Sequence, residues 1–171
     1  MKAQAQAGEI ELAYLDEVGF AQVHPNRSAW TPVGQQHRIN APRGKRLNAV
    51  AALLSSGKVF AAKLWETFDS KVFVGFLSLL REHVGKPVTV VLDNASVHKA
   101  KAIRPCIELL KKAGVTLYFL PPYSPELNRI ETLWRLMKHT WMAVKYREPE
   151  TLEADVQHIF DNFSTTYCMK F

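Results

Sequence analysis

The chain has two cysteines in 171 residues, Cys106 and Cys168. Two thiols so far apart exclude a disulfide framework and any cysteine-rich zinc motif, and they fit a reducing compartment. No apolar run in the N-terminal segment MKAQAQAGEIELAYLDE is long enough for a signal peptide or a membrane span. These absences point to a cytoplasmic protein with no membrane partner. The histidines, His24, His37, His83, His98, His139 and His158, show no zinc spacing such as His-x-x-x-His. There is no phosphate-loop glycine pattern and no Gly-x-Ser-x-Gly elbow. Repeats, low-complexity tracts and internal linkers are missing as well. Acidic charge is in short supply: 22 Lys+Arg stand against 16 Asp+Glu, a formal net charge of +6. A basic surface favours an anionic partner, nucleic acid first. The 47% hydrophobic content excludes a disordered chain, and the length suits one domain with a real core.

What is present alternates between strand and helix patterns. Residues 9–16 and 19–24 read as strands meeting at Gly19, and 25–44 as a polar loop. Segments 45–54 and 58–64 flank Ser55-Ser56-Gly57, a hairpin signal. Asp69 can cap a helix running to Val84, with apolar residues at 72, 73, 76, 77, 80 and 84 and Gly85 as its stop. Strand 88–92 follows. Region 96–113 is helical but interrupted by Pro105, which predicts a short turn and then a helix opening at that proline. Gly114 ends it. Strand 115–120 and helices at about 129–142 and 150–163 complete an α/β pattern. The first three strands are expected as an antiparallel meander, and the later two to run parallel to the first.

Three acids stand at element ends. Asp16 closes the period-two row Ile10, Leu12, Tyr14, where a charge is costly unless paired or metal-bound. Glu17 points to the opposite face and suits a basic partner. Asp93 ends the apolar run Val88-Thr89-Val90-Val91-Leu92, where sheets of this kind place ligand sites. An Asx turn or helix cap would also use it. Glu131 lies in the first turn of a helical pattern, just past the stiff loop Pro121-Pro122-Tyr123-Ser124-Pro125. It also fits a capping box with Asn128. Together the three carboxylates are hard oxygen ligands suited to Mg²⁺ or Mn²⁺. His98 is the one histidine near them in sequence. Basic residues gather around the long loop (Arg38, Arg43, Lys45, Arg46) and along the last helices (Arg129, Arg135, Lys138, Lys145, Arg147). Trp134, Trp141 and Tyr146 interleave with the second group. A core role accounts for Trp134.

Four segments, in order, carry a resemblance. They are Tyr14-Leu15-Asp16-Glu17, the Trp30-x-Pro-x-Gly34 loop, Val91-Leu92-Asp93-Asn94-Ala95-x-x-His98, and Leu120-Pro121-Pro122-Tyr123-Ser124-Pro125-Glu126-Leu127-Asn128-x-Ile130-Glu131-x-x-Trp134. Spanning about 9 to 145, they resemble the catalytic domain of mariner-superfamily transposases, especially the bacterial insertion sequence 630-like branch. The resemblance implies a ribonuclease H-like (retroviral-integrase-like) fold with a mixed five-stranded sheet, three strands antiparallel and two parallel, flanked by helices. It implies one catalytic domain over 1–171 with its core at about 9–163, and the catalytic, metal-binding triad Asp16, Asp93 and Glu131. Asn94, His98 and Asn128 are candidates for supporting those acids. Arg38, Arg43, Lys45, Arg46, Arg129, Arg135 and Lys138 are candidate DNA contacts. The interval from Asp93 to Glu131 is slightly longer than is typical of the family, and Arg129 stands where many relatives have proline. The N-terminal helix-turn-helix region usual in the family does not fit before residue 9 and is expected to be absent.

The implied chemistry is DNA strand cleavage and strand transfer (transposition and DNA integration) with two divalent ions, Mg²⁺ or substituting Mn²⁺, held by the acids. Double-stranded DNA, as transposon ends and target, is the implied partner, and a homodimer the implied active complex, on the nucleoid of a bacterial cytoplasm. Two alternatives remain. A ribonuclease H-type hydrolase would cut RNA in hybrids. A non-catalytic DNA-binding or dimerisation remnant would bind metal without cleaving.

Overall fold

The sheet is built around its longest strand, β1 (Glu11–Ala21). The computed structural model describes residues 2–23, 30–36 and 44–169. The other strands are β2 (Arg46–Leu54), β3 (Val59–Leu64), β4 (Val88–Leu92) and β5 (Val115–Phe119). They lie in the order β3-β2-β1-β4-β5. β2 is antiparallel to both β1 and β3, whereas β4 runs parallel to β1 and β5 parallel to β4. This is the expected mixed sheet. Among the described residues five α-helices accompany it: α1 (Lys2–Gln6), α2 (Ser70–Val84), α3 (Arg104–Lys112), α4 (Ile130–Leu136) and α5 (Pro149–Asp161). No helix among the described residues is long and apolar enough to cross a membrane.

Side-chain alternation along β1 divides the core in two. Ala13 and Leu15 face Phe73, Phe76, Leu77 and Leu80 of α2. Val18 and Phe20 face Ile130, Leu133 and Trp134 of α4 and Leu152, Val156 and Ile159 of α5. Each large apolar side chain fully buried this way contributes about 1.5–3 kcal/mol relative to exposure. The same alternation puts Asp16 on the α4 side of the sheet and Glu17 on the α2 side. α2 is bounded as the sequence reads: the Asp69 carboxylate accepts from the Lys71 and Val72 N–H groups, and Gly85 closes the helix at φ 71°.

Two sequence expectations need correction, and one element is new. The chain does not break at Gly19, because Gly19 pairs with Asn48 inside the β1–β2 ladder. Its missing Cβ makes room instead: a methyl group there would lie 1.6 Å from Arg46 Nε. The helix expected over 129–142 stops at Leu136 and continues as a π-helical turn, Met137–Trp141, closed by Met142 N–H donating to Met137 O at 3.1 Å. The wider turn brings i and i+5 to one face, and Met137 and Met142 are both buried. α1 carries no signal in the sequence. The remaining elements keep their expected order, with 3₁₀ turns at Ser96–Lys99 and Lys101–Ile103 leading into α3 and Pro105 in its first turn.

Arg147 fastens the segment before α5 to the end of β1. It is 2% exposed, pairs with Asp155 Oδ2 at 2.6 Å, and donates to the carbonyls of Ala143 and Lys145. Its backbone exchanges hydrogen bonds with Gln22. Arg147→Ala should cost about 1–3 kcal/mol, since it removes a buried guanidinium and leaves part-buried carbonyls and a carboxylate without that donor. Lys145→Ala, which removes the exposed partner of the same carboxylate, should cost less than about 1 kcal/mol. Urea midpoints of the two variants check this contrast, and equal losses would contradict it.

Candidate active site

β1 and β4 are neighbours, and the register sets Tyr14 beside Val91. Two residues on along each parallel strand, Asp16 and Asp93 come level. Glu131 arrives from the other direction, in the first turn of α4. All three line one cavity of about 470 Å³, whose wall also includes Asn94, Asn128 and the proline loop from Leu120 to Pro125. No basic residue among the described ones lines it. Among the described residues, no three His, Cys, Asp or Glu side chains converge to chelating distance. The acids share a cavity without forming a preassembled chelate among the described residues.

Electrostatics at the cavity follow from burial first and crowding second. The Asp16 pKa is pushed up to about 7, first by burial, then by the charges of Glu131 and Glu17, against hydrogen bonds from the Glu17 backbone and Trp134. Burial also raises Glu131, with Asp93 adding to the effect and Lys138 opposing it.

Each acid is held differently. Trp134 Nε1 donates to Asp16 Oδ2 at 3.0 Å. Trp134 is therefore more than the core residue the sequence suggests, although it is 3% exposed. Its position one helical turn after Glu131 was the available signal. Asp93 Oδ1 accepts from Ala95 N–H at 2.9 Å, an Asx turn, while Asp93 also faces the cavity. His98 Nδ1 lies 3.1 Å from the same oxygen, and its Nε2 lies 3.4 Å from Glu17 Oε2. The imidazole is 3% exposed, rests on Phe73 with ring centroids 4.6 Å apart, and has no well-aligned hydrogen bond. Burial pushes it towards the neutral form, but Glu17 and then Asp93 outweigh this, so its pKa is raised.

Asn94 ties the two strand exits together. Its Nδ2 donates to the Leu120 carbonyl, and its Oδ1 accepts from Lys99 Nζ, which stands 4.8 Å from the centre of the Phe119 ring. Asn128 overturns the capping-box reading. Its side chain turns away from α4, 4% exposed, and Nδ2 donates to Leu15 O at 3.0 Å. The residue capping α4 is Arg129, whose side chain makes no capping hydrogen bond.

The candidate basic residues are dispersed. Arg46 Nη2 donates to Gly19 O at 3.3 Å, and Arg46 shares a cavity of about 300 Å³ with Lys138, beside Phe20 and Arg147. Arg129 lies 5.8 Å from the Tyr14 ring and lines a different cavity with Glu11 and Lys86. Lys45 and Arg135 are exposed. Arg38 and Arg43 lie outside the described residues.

A mixed sheet that sets two strand-end aspartates level, with a helix-borne glutamate across the cavity, defines an acid-lined α/β site. Residues 11–153 match the family model of the DDE superfamily endonuclease, and the chain belongs to that family. Among curated proteins it is similar to the insertion element IS630 uncharacterized 39 kDa protein of Shigella sonnei, 28% identical over 138 residues, covering 78% of this chain and 39% of that protein. The uncharacterized protein y4pE/y4sA of Sinorhizobium fredii is 36% identical over 59 residues, covering 34% of this chain and 39% of its own. The aligned regions thus span well under half of these relatives. Among solved structures, the Mos1 transposase paired-end complex with left transposon end superposes with a TM-score of 0.71 at 20% identity, over 97% of this chain and 52% of that one. A chain of a simian T-cell lymphotropic virus intasome complex superposes at 0.53 and 14% identity, over 95% and 51%. The structural likenesses bear out the ribonuclease H-like, integrase-like fold, and the family model carries the kinship with the endonuclease superfamily.

Proposed function

We propose that this chain is the catalytic core of a transposase, performing divalent-metal-dependent DNA strand cleavage and strand transfer. The observation that carries the reading is the cavity: carboxylates from two adjacent parallel strands and a separate helix face it, and the most buried of them is pushed up to about 7. The donors fit the metal. Asp16, Asp93 and Glu131 offer only hard oxygens, and their mutual repulsion is relieved by a cation. Mg²⁺ or Mn²⁺ held there supplies Lewis acidity at a scissile phosphate and at the attacking and leaving oxygens. Structures of the mariner Mos1 paired-end complex with Mn and with Mg support that choice by kinship.

The protein's own residues position these donors. Trp134 occupies Asp16 Oδ2, the Asx turn and His98 fix Asp93, and Asn94 holds the strand exits together. Duplex DNA, as transposon ends and target, is the proposed substrate, gripped through its phosphates by Arg46, Lys138 and their neighbours. A second copy completes the proposed active complex.

The direct test is a plasmid-nicking assay with Mn²⁺, run beside a thermal-shift titration. The native chain should nick DNA, and Mn²⁺ should raise its Tm, because a ligand that binds only the folded state favours that state. Asp93→Ala should lose both responses. If both proteins answer Mn²⁺ alike, the ion binds elsewhere. Salt provides an independent check on the partner. DNA affinity should fall with a log–log slope of about −0.9 per phosphate contacted. Arg46→Ala combined with Lys138→Ala should flatten that slope by about two such contacts. An unchanged slope would remove these residues from the DNA path.

A further inference from the structure

One side chain on the wall of the acid cavity is unlike the rest. Tyr123 is fully exposed at 102%, yet it lines the same cavity as Asp16, Asp93 and Glu131. Its backbone is left-handed, φ 56°, a conformation unfavourable for a residue with a Cβ and natural for glycine. Pro121 and Pro122 stiffen the approach, Pro125 stiffens the exit, and Ser124 Oγ donates to Pro122 O across the turn at 3.3 Å. Asn94 anchors the loop's base at Leu120. Among the described residues the phenol makes no hydrogen bond or ring contact. The fold thus holds an apolar ring out in water, on strained backbone, at the mouth of the acid site. Burial does not account for it, and neither does turn chemistry, which glycine would serve better.

We propose that the Tyr123 ring is a stacking platform for an unpaired DNA base adjoining the phosphate that the three carboxylates address. The proposal rests on the DNA-cleavage reading and adds a binding mode to it. The cavity's lining suits this division of labour: it combines the three acids with Pro121, Pro122 and Tyr123, and no cation among the described residues lines it. A sugar-phosphate entering towards the acids leaves its base on the apolar side. A projecting ring reaches only a base free of its own duplex stack, so the nucleotide is one that has been opened or frayed. A tyrosine face accepts any base, so the contact positions the strand without reading sequence.

The experiment uses duplexes with a short single-stranded flap carrying 2-aminopurine, titrated with the native chain in Mg²⁺, with cleavage scored on the same samples. Stacking on an aromatic ring quenches the probe. The native chain and Tyr123→Phe should quench it, and Tyr123→Ala should not. Flap affinity should fall in the alanine variant by about five- to a hundredfold, the range of one base–aromatic stack. Affinity for a fully paired duplex should be unchanged. Tyr123→Gly, at ease with the positive φ, should lose the quench with a Tm no lower than that of the native chain. That outcome excludes collapse of the loop as the cause. Equal quenching by the native and alanine proteins, or none by the native protein, overturns the proposal. Quenching without cleavage would retain the platform and reject the metal chemistry, so the two readings fail separately.

Discussion

Glu131→Gln should fold like the native chain and lose metal-dependent DNA cleavage by more than about a hundredfold. The bound on activity comes from metal sites in general, where removing even an outer partner of a ligand costs about 10–100-fold. Removing the ligand's charge costs more. The bound on stability comes from this structure. Glu131 is exposed and has no role in a capping box, because Asn128 turns its side chain to the Leu15 carbonyl. The substitution should therefore stay within about 0.5 kcal/mol of the native stability. Asn128→Ala should show the opposite pattern. It removes a buried hydrogen bond and leaves the Leu15 carbonyl without that donor, at a cost of about 1–3 kcal/mol, while the three acids remain. Urea unfolding and a nicking assay on the same preparations decide the matter. A Glu131→Gln protein that still cuts DNA at native rates would remove Glu131 from the metal set.

The metal-free protein should lose stability as pH rises from about 4 to about 7, relative to Asp16→Asn. The sign follows from the direction of the shift. Folding raises the Asp16 pKa from its ordinary 3.8 to about 7. Between those values the folded chain holds a proton that the unfolded chain has released. Stability is therefore full below the lower value and falls through the window. The slope is at most about 1.4 kcal/mol per pH unit. His98 acts in the same direction in a higher window, since its pKa is raised from 6.5. Its contribution is complete below that value and lost above it. Asparagine at position 16 can still accept from Trp134 Nε1 but cannot titrate, so the difference between the two proteins isolates Asp16. Urea midpoints at intervals from pH 4.5 to 7 measure it. A difference that is flat, or that favours the native chain as pH rises, would contradict the crowded-carboxylate picture. Loading with Mn²⁺ below pH 7 should release protons, because a ligating carboxylate must be ionised.

Much of this architecture could be read from residue order. Period-two rows marked the strands, Asp69 and Gly85 marked α2, and the apolar runs ending in Asp16 and Asp93 marked where their acids would stand. What could not be read depended on contacts between distant segments. Gly19 looked like a chain break because glycine usually signals a turn, but here it makes room for the Arg46 side chain. Asn128 and Glu131 had the spacing of a capping box, yet the asparagine found a better partner on β1. The wide turn after α4 answers to the burial of two methionines, which no local propensity reports. His98 and Trp134 hold the acids through neighbours brought together only by the sheet and α4.

The parallel pairing of β1 with β4 also sets when the site can exist. The β1–β2–β3 meander joins segments close in sequence and can form early. The β1–β4 pairing closes a longer intervening chain, which carries the larger entropic cost. Until it is made, Asp16 has no aspartate beside it, and until α4 docks it has no glutamate across the cavity. Pairing of these two strands and docking of α4 are thus what bring Asp16, Asp93 and Glu131 to one cavity.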